Sequence, residues 1–105
     1  MSDYPTSRDE TILEEAQRIV NGPRRETYQH PYDDHTAVGL AWAGILSKHL
    51  RMPVPPIPAH IVSMMMVSVK VMREAGVHQR DNLTDIAGYA YCADIEHEEG
   101  ERRQK

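Results

Sequence analysis

The sequence predicts an all-α fold of four helices, and three observations lead to this prediction. Apolar residues recur three and four positions apart in four separate segments, which is the period of an amphipathic helix. Glycine or proline residues lie between these segments, where they end one helix and allow the next to begin. No segment pair shows the alternating pattern of a strand hairpin. We therefore expect a four-helix bundle that oligomerisation completes.

The size and charge of the chain narrow the classes of protein to consider. Its 105 residues suffice for one helical domain over residues 1–105, with a core at about 8–96 and flexible tails at 1–6 and 97–105. The net charge of -4 argues against broad binding to nucleic acid or anionic membranes. Because Cys92 is the single cysteine and the start of the chain is polar, we expect a cytoplasmic protein without a signal peptide.

The first helix is predicted over about Arg8–Val20, where an apolar stripe recurs at helical spacing. Ser7 and Glu10 match a capping box at its start. The pair Gly22-Pro23 ends it, since proline cannot continue a helix. Residues 23–34 then form a charged and aromatic connection, which is a common place for ligand contacts.

The second helix is predicted over about Asp34–Leu50, with Asp33 or Asp34 as its N-cap. Its apolar residues follow the helical period closely, and Trp42 is expected in the core. Four small residues leave a slim surface that another helix could approach. They are Gly39, Ala41, Ala43 and Gly44.

The third and fourth helices follow a stiff connection. Residues 51–58 contain four prolines and must be extended, because residues before proline avoid the helical region. The third helix is predicted over about Pro58–Ala75. Its segment Ile61–Met72 is apolar on nearly every face, as expected for a central helix or for one shared with a second subunit. The fourth helix is predicted over about Asp81–Glu96, with its first residue as the N-cap. Gly88 within it indicates close packing or ligand access.

The joint between these two helices carries the candidate functional side chains. Residues three and four apart share a helix face, so two short polar faces meet there. The third helix contributes Lys70, Arg73 and Glu74, and the fourth contributes Asp81, Asp85 and Tyr89. A Lys/Arg pair suits phosphate and paired carboxylates suit Mg²⁺, so the joint could hold a nucleotide polyphosphate. In the structural alternative, Asp85 pairs with Arg73 to close the hairpin and Lys70 extends to water.

The same residues resemble a known group of proteins. The pattern Lys70-x-x-Arg73, followed by the string HxxDNLxDIAGYA over residues 78–90, is similar to small phage-encoded proteins related to the MazG-like all-α nucleoside triphosphate pyrophosphohydrolases. Upstream residues fit the same group: Glu15, Arg25, Tyr28, His30, Pro31 and Trp42. The resemblance covers roughly residues 10–95 and implies a dimeric or tetrameric helical fold with a nucleotide pocket between helices.

The resemblance also implies a reaction, in which an NTP or dNTP is hydrolysed to NMP and pyrophosphate with Mg²⁺. Classical members hold the metal with Glu-x-x-Glu on one helix and Glu-x-x-Asp on the next. Asp85 matches the last of these carboxylates, but Asn82 lies where the preceding Glu is expected. The pair Lys70-x-x-Arg73 lies roughly where Glu-x-x-Glu is expected, so the metal-binding charge is largely missing or inverted.

Three hypotheses follow for the function. In the first, the protein is a pyrophosphohydrolase in which Asp85, Asp81 and Glu74 are catalytic and Asp85 and Asp81 hold Mg²⁺. In the second, it binds a nucleotide without catalysis. The nucleotide or phosphate contacts in both hypotheses are Lys70, Arg73, Asn82, Tyr89, Arg25, Tyr28 and His30. In the third, it is a helical protein-interaction module whose methionine-rich surface adapts to a partner. For a phage-encoded protein, the cytoplasm would be that of the host.

Overall fold

The computed structural model describes residues 4–23 and 30–104. These residues form helices α1 (Ile12–Asn21), α2 (Pro31–Leu50), α3 (Ala59–Gly76) and α4 (Arg80–Arg103), and they contain no strand. The predicted all-α class with four helices is confirmed for this part of the chain. None of its helices is both long enough and apolar enough to cross a membrane.

Helix α1 starts later than predicted, and the proposed capping box of Ser7 and Glu10 is wrong. Thr11 is the N-cap: its Oγ1 accepts from the Glu14 backbone N at 3.1 Å, and its own N donates to Glu14 Oε1 at 2.7 Å. This reciprocal pair lies directly before the apolar stripe, where a capping box is most useful. Glu10 instead forms an ion pair with Arg18 at 2.7 Å.

Helix α2 starts earlier than predicted, so an N-cap at Asp33 or Asp34 is also wrong. His30 is the N-cap, and its Nδ1 accepts from the Tyr32 backbone N at 3.0 Å. Pro31 explains the earlier start, because its ring fixes the φ angle that the first helical turn requires. The predicted end at Leu50 is confirmed.

At Gly39, the slim surface of α2 receives the proline-rich connection most closely, with Val62 of α3 beside it. Gly39 is buried, and its carbonyl oxygen accepts from the Ile57 backbone N at 3.4 Å. A Cβ on Gly39 would collide with the carbonyl oxygen of Ile57. Of the other small residues, Ala43 is buried while Gly44 faces open space. Trp42 is half-buried, so its expected place in the core is only partly realised.

Helix α4 differs most from its prediction. It begins at Arg80 with Gln79 as an N-cap that makes no side-chain capping bond, so the assignment of Asp81 as N-cap is wrong. It continues to Arg103, well beyond the predicted end at Glu96. The reason is tertiary: the Arg103 guanidinium donates to Asp33 at 2.7 Å and lies 4.6 Å from the centroid of the Tyr32 ring.

The interior of the molecule is unusually polar for a helical bundle. Helix α4 contacts all three other helices, and α3 packs along it in antiparallel order. The buried apolar residues are mostly small: Ala16, Ala43, Ala59, Val62 and Cys92. The buried polar residues are Ser63, Asn82, Thr84, Glu96 and Glu99. Ser63 bonds to Glu96 and Asn82 bonds to Glu74 across the contact between α3 and α4, and the second of these pairs lies at the predicted joint.

Candidate functional site

A row of polar side chains runs between α3 and α4, and we call it the polar seam. It consists of Ser63, Lys70 and Glu74 on α3, and of Asn82, Asp85 and Glu96 on α4. Helical spacing places each set on the inner face of its helix. Because the two helices are antiparallel, Glu74 meets Asn82, Lys70 meets Asp85 and Ser63 meets Glu96.

Lys70 and Asp85 form the central pair of the polar seam. Lys70 Nζ lies 2.9 Å from Asp85 Oδ2, and the Lys70 side chain is only 15% exposed. The structural alternative correctly predicted an ion pair that closes the hairpin. Its cationic member is wrong, because Asp85 pairs with Lys70 and not with Arg73. The expected extension of Lys70 to water is also wrong. Arg73 lies further around α3 and is exposed, and its side chain has no ion pair among the described residues.

Glu74 joins the two helices at the turn. Its Oε1 accepts from the Gln79 backbone N at 3.0 Å and from Asn82 Nδ2 at 3.2 Å, while Oε2 contacts His78 Nδ1. The hydrogen bond from His78 and those from Gln79 and Asn82 lower the pKa of Glu74 from 4.5 to about 2. The carboxylate is therefore fully used as an acceptor that closes the hairpin.

The remaining predicted residues lie apart from this group. Asp81 is exposed, and its side chain makes no ion pair or hydrogen bond among the described residues. Tyr89 is half-buried on α4, with its ring centroid 6.3 Å from that of His35. His30 caps α2, and Arg25 and Tyr28 lie outside the described residues. The structure thus brings together Lys70, Glu74, Asn82 and Asp85 and leaves out Asp81 and Arg73.

The arrangement of these carboxylates does not fit a magnesium site. Asp85 faces the Lys70 ammonium, Glu74 is bound by three donors, and Asp81 is outside the group. Within residues 4–23 and 30–104, no three or more His, Cys, Asp or Glu side chains are grouped so as to hold a metal ion. Mg²⁺ requires oxygen ligands that are free to turn toward it. A role for the metal therefore remains only a prediction from the resemblance.

A buried cluster of His35, Ser63 and Glu96 was missed by sequence reasoning. Ser63 Oγ donates to Glu96 Oε1 at 2.6 Å and lies 3.0 Å from His35 Nδ1, which also contacts Glu96 Oε2. Glu96 is 1% exposed, and the cluster ties α2, α3 and α4 together. These residue types match those of a hydrolytic triad, but Ser63 is fully buried and its hydroxyl points to the carboxylate. The cluster is therefore structural.

The sequence does contain a signal for the buried residues of α4. Polar and small residues recur on α4 at alternating spacings of three and four, from Asn82 through Cys92 to Glu96 and Glu99. This is the pattern of a buried helix face. The pattern does not by itself predict burial, because charged residues are normally assigned to the surface. Here Glu96 and Glu99 are buried beside cationic or hydroxyl partners.

Helix α1 is held across the start of α4 by a second group of polar contacts. The Arg80 guanidinium forms an ion pair with Glu15 and donates to the Glu10 carbonyl oxygen at 3.0 Å. Asn21 Nδ2 donates to Tyr91 Oη at 3.1 Å at the other end of α1. Glu15, which belongs to the resemblance, thus has a role in docking α1.

A cleft of about 340 Å³ lies at the far end of the polar seam, where Glu96 is among its lining residues. It is bounded by the first turns of α2, the proline-rich connection and the last turns of α4. His60 and His97 meet edge to face in its wall, with ring centroids 4.9 Å apart. Lys70, Glu74 and Asp85 do not line it. This cleft is thus not the site that the sequence predicted.

Comparison with known proteins identifies phage relatives. The chain is 38% identical over 99 residues to the Gene 55 protein of Mycobacterium phage D29, covering 90% of this chain and 61% of that protein. It is 34% identical over 82 residues to the Gene 55 protein of Mycobacterium phage L5, covering 76% of this chain and 48% of that protein. The chain thus spans about half to three-fifths of the length of these relatives.

These relatives support the predicted phage origin, while the relation to MazG-like proteins stays a prediction. No solved structure matches the sequence. A family described as "Domain of unknown function (DUF6378)" matches residues 11–96, which include α1, α2, α3 and most of α4. The chain therefore belongs to this family.

Proposed function

We propose that this protein is a MazG-like nucleotide binder that does not carry out metal-dependent hydrolysis. One observation carries the proposal: the Lys70 ammonium lies 2.9 Å from Asp85. Asp85 is the carboxylate that the resemblance assigns to the metal. An ammonium group at that place supplies the positive charge that Mg²⁺ would otherwise supply, and it repels a second cation.

The pair also supports a role in binding phosphate. A lysine ammonium has three donors, so Lys70 can keep its bond to Asp85 and still donate to a phosphate oxygen. Arg73 is exposed on the same helix and is free to add a bidentate contact. Asn82 and Tyr89 lie on the neighbouring face of α4. We propose that a nucleotide binds over this end of the hairpin, in a homo-oligomer in the host cytoplasm.

Calorimetric titration with NTPs, dNTPs and cyclic nucleotides tests this proposal. We expect binding by the wild-type protein and a loss of roughly tenfold or more in affinity for Lys70→Ala and for Arg73→Ala, because each removes a charge-assisted bond. Lys48→Ala and Arg18→Ala are the matched controls, since both residues are exposed on other helices. Equal affinity in all four variants, or no binding of any nucleotide, would refute the site.

An assay for pyrophosphate release distinguishes a nucleotide binder from a hydrolase. We expect no pyrophosphate release from any NTP or dNTP in the presence of Mg²⁺ or Mn²⁺. Release of pyrophosphate that disappears in Asp85→Asn would instead establish the hydrolase hypothesis. Asp34→Asn is the matched control, because Asp34 is an exposed carboxylate in the first turn of α2.

A second candidate function is a helical protein-interaction module. The observation that favours it is the number of large apolar side chains exposed on α3, among them Met64, Met65 and Met72. Exposed apolar patches mark interaction surfaces, and methionine adapts to varied partners. A stable monomer that binds no nucleotide would favour this function over the first.

A further inference from the structure

Helix α3 presents a continuous apolar face to solvent, which we call the outer face. It consists of Ile61, Met64, Met65, Val69 and Met72, whose exposure ranges from 37% for Val69 to 72% for Met72. These residues recur at spacings of three and four, so they form one stripe along the helix. The opposite side of α3 carries Ser63 and Lys70, which are held in the polar seam. The outer face is therefore fixed in its outward orientation.

The outer face contains no charged residue. Ser68 lies among these residues as the one polar side chain, and its hydroxyl donates to the Met65 carbonyl oxygen at 2.6 Å. The donor of Ser68 is thus satisfied within the helix, and covering the face would leave it paired. Burial of such a surface costs little free energy for desolvation of polar groups and is favoured by the hydrophobic effect.

The size and shape of the chain show how much surface is available for burial. Its accessible surface is 7824 Å², whereas a compact monomer of 12.0 kDa exposes about 6,000 Å², an excess of roughly 1,800 Å². The radius of gyration is 15.9 Å, against about 13 Å for a compact chain of this length. Obligate homodimers bury roughly 1,000–2,500 Å² per partner. The excess, which is spread over the whole chain, leaves room for one such interface with the outer face at its centre.

We propose that the outer faces of two copies of this chain pack against each other about a two-fold axis. This inference rests on the proposed homo-oligomer and specifies its interface. An isologous contact requires a self-complementary surface, and an uncharged face brings no like charges together. A two-fold axis perpendicular to α3 makes the two helices antiparallel. An axis through the middle of the outer face places Met65 of one copy against Ser68 of the other.

Charge substitution at the interface is the first arm of the test. Met65→Glu and Val69→Glu each place an unpaired carboxylate in the contact, so we expect the dimer to dissociate at least roughly 100-fold more readily. Leu13→Glu is the matched control, because Leu13 is 72% exposed on α1. Sedimentation equilibrium gives the mass in solution, and circular dichroism verifies that each variant is helical.

Cross-linking is the second arm and does not depend on destabilising the interface. Ser68→Cys should form a covalent dimer with a short bifunctional maleimide, because the two copies of position 68 lie near the axis. Glu98→Cys, at an exposed position on α4, should not. Both proteins retain the buried Cys92, so the wild-type chain serves as the reagent control.

The outcomes separate the interface from the oligomer itself. The proposal is supported if both glutamate substitutions dissociate the dimer and Ser68→Cys forms the cross-linked dimer. If neither substitution affects the dimer and position 68 does not cross-link, the outer face is not the interface, although the protein is still a homo-oligomer. A wild-type monomer at micromolar concentration overturns both.

Discussion

At the residue scale, the polar seam shows that charged side chains can replace apolar ones as the contacts between helices. Glu74 accepts from the turn and from α4, and Lys70 neutralises Asp85 within the same interface. Glu96 is almost fully enclosed beside His35 and Ser63. Such pairs are costly to break one partner at a time, because the remaining group is left unpaired in a place that water reaches poorly.

Glu74 gives the protein a defined sensitivity to acid. Its pKa is lowered from 4.5 to about 2, so its contribution to folding is fully present above about pH 4.5 and is lost as the pH falls toward 2. We expect wild type to exceed Glu74→Gln in stability at neutral pH, with the difference shrinking over this window. Urea unfolding followed by circular dichroism measures it. A difference that is constant with pH would contradict the assignment.

Substitution of Glu96 tests whether the buried cluster stabilises the fold. In Glu96→Ala, Ser63 loses its acceptor and His35 loses its carboxylate, so we expect the free energy of unfolding to fall by about 3–5 kcal/mol. Glu98→Ala is the control on the exposed side of the same helix, and its effect should stay within about 0.5 kcal/mol. Chemical denaturation of both variants provides the comparison, and equal effects would refute a structural role for the cluster.

At the element scale, helices start and end where side chains and neighbouring elements satisfy their termini. Thr11 and His30 cap α1 and α2 in ways that the strongest sequence signals did not single out. Helix α4 begins without a side-chain cap because Glu74 on α3 binds the Gln79 backbone N. The end of one helix thus supplies the cap of the next.

Alanine substitutions at two glycines of α2 distinguish the effect of helix propensity from the effect of packing. Gly39→Ala forces a methyl group against the Ile57 carbonyl oxygen, so we expect it to destabilise by about 1–3 kcal/mol. Gly44→Ala adds a methyl group in open space and should stabilise by roughly 1 kcal/mol through helix propensity. Thermal unfolding of both variants measures the difference. Similar effects of the two substitutions would contradict the close approach at Gly39.

At the scale of the whole molecule, the last turns of α4 return to the first turn of α2. Arg103 donates to Asp33 and lies over the ring of Tyr32, and Arg102 and Arg103 hold the pKa of Glu99 at about 2. Tyr32 also lies against Gly100, where a Cβ would come within 3.1 Å of the ring. The α4 residues of these contacts lie just beyond residues 11–96, the part that matches the family.

Removal of residues 97–105 tests whether this segment belongs to the folded molecule. We expect the shortened chain to unfold at a lower temperature, because the contacts to Asp33 and Tyr32 are lost. A chain that ends at Arg103 keeps these contacts and is the matched control. Calorimetry compares the two with the full chain, and an unchanged midpoint for the shorter chain would show that the segment adds nothing to stability.

Local sequence patterns suffice to predict the all-α class, the approximate extent of the helices and the place where α3 meets α4. These follow from local rules, since helical periodicity, proline and glycine act within a few residues of the chain. For the same reason Lys70, Glu74 and Asp85 were correctly expected at one joint. The order of the helices and the short turn between α3 and α4 require those residues to be near each other.

Which of these groups are paired and which face solvent depends on how the helices pack in three dimensions. Residues three positions apart on a helix differ by about 60° in direction, so Lys70 faces Asp85 while Arg73 points to solvent. Asp81 is exposed outside the group, although it lies only four positions before Asp85 on the same helix. The burial of Glu96 and the extension of α4 to Arg103 depend on partners on α2 and α3, which are far away in sequence. No local pattern contains that information.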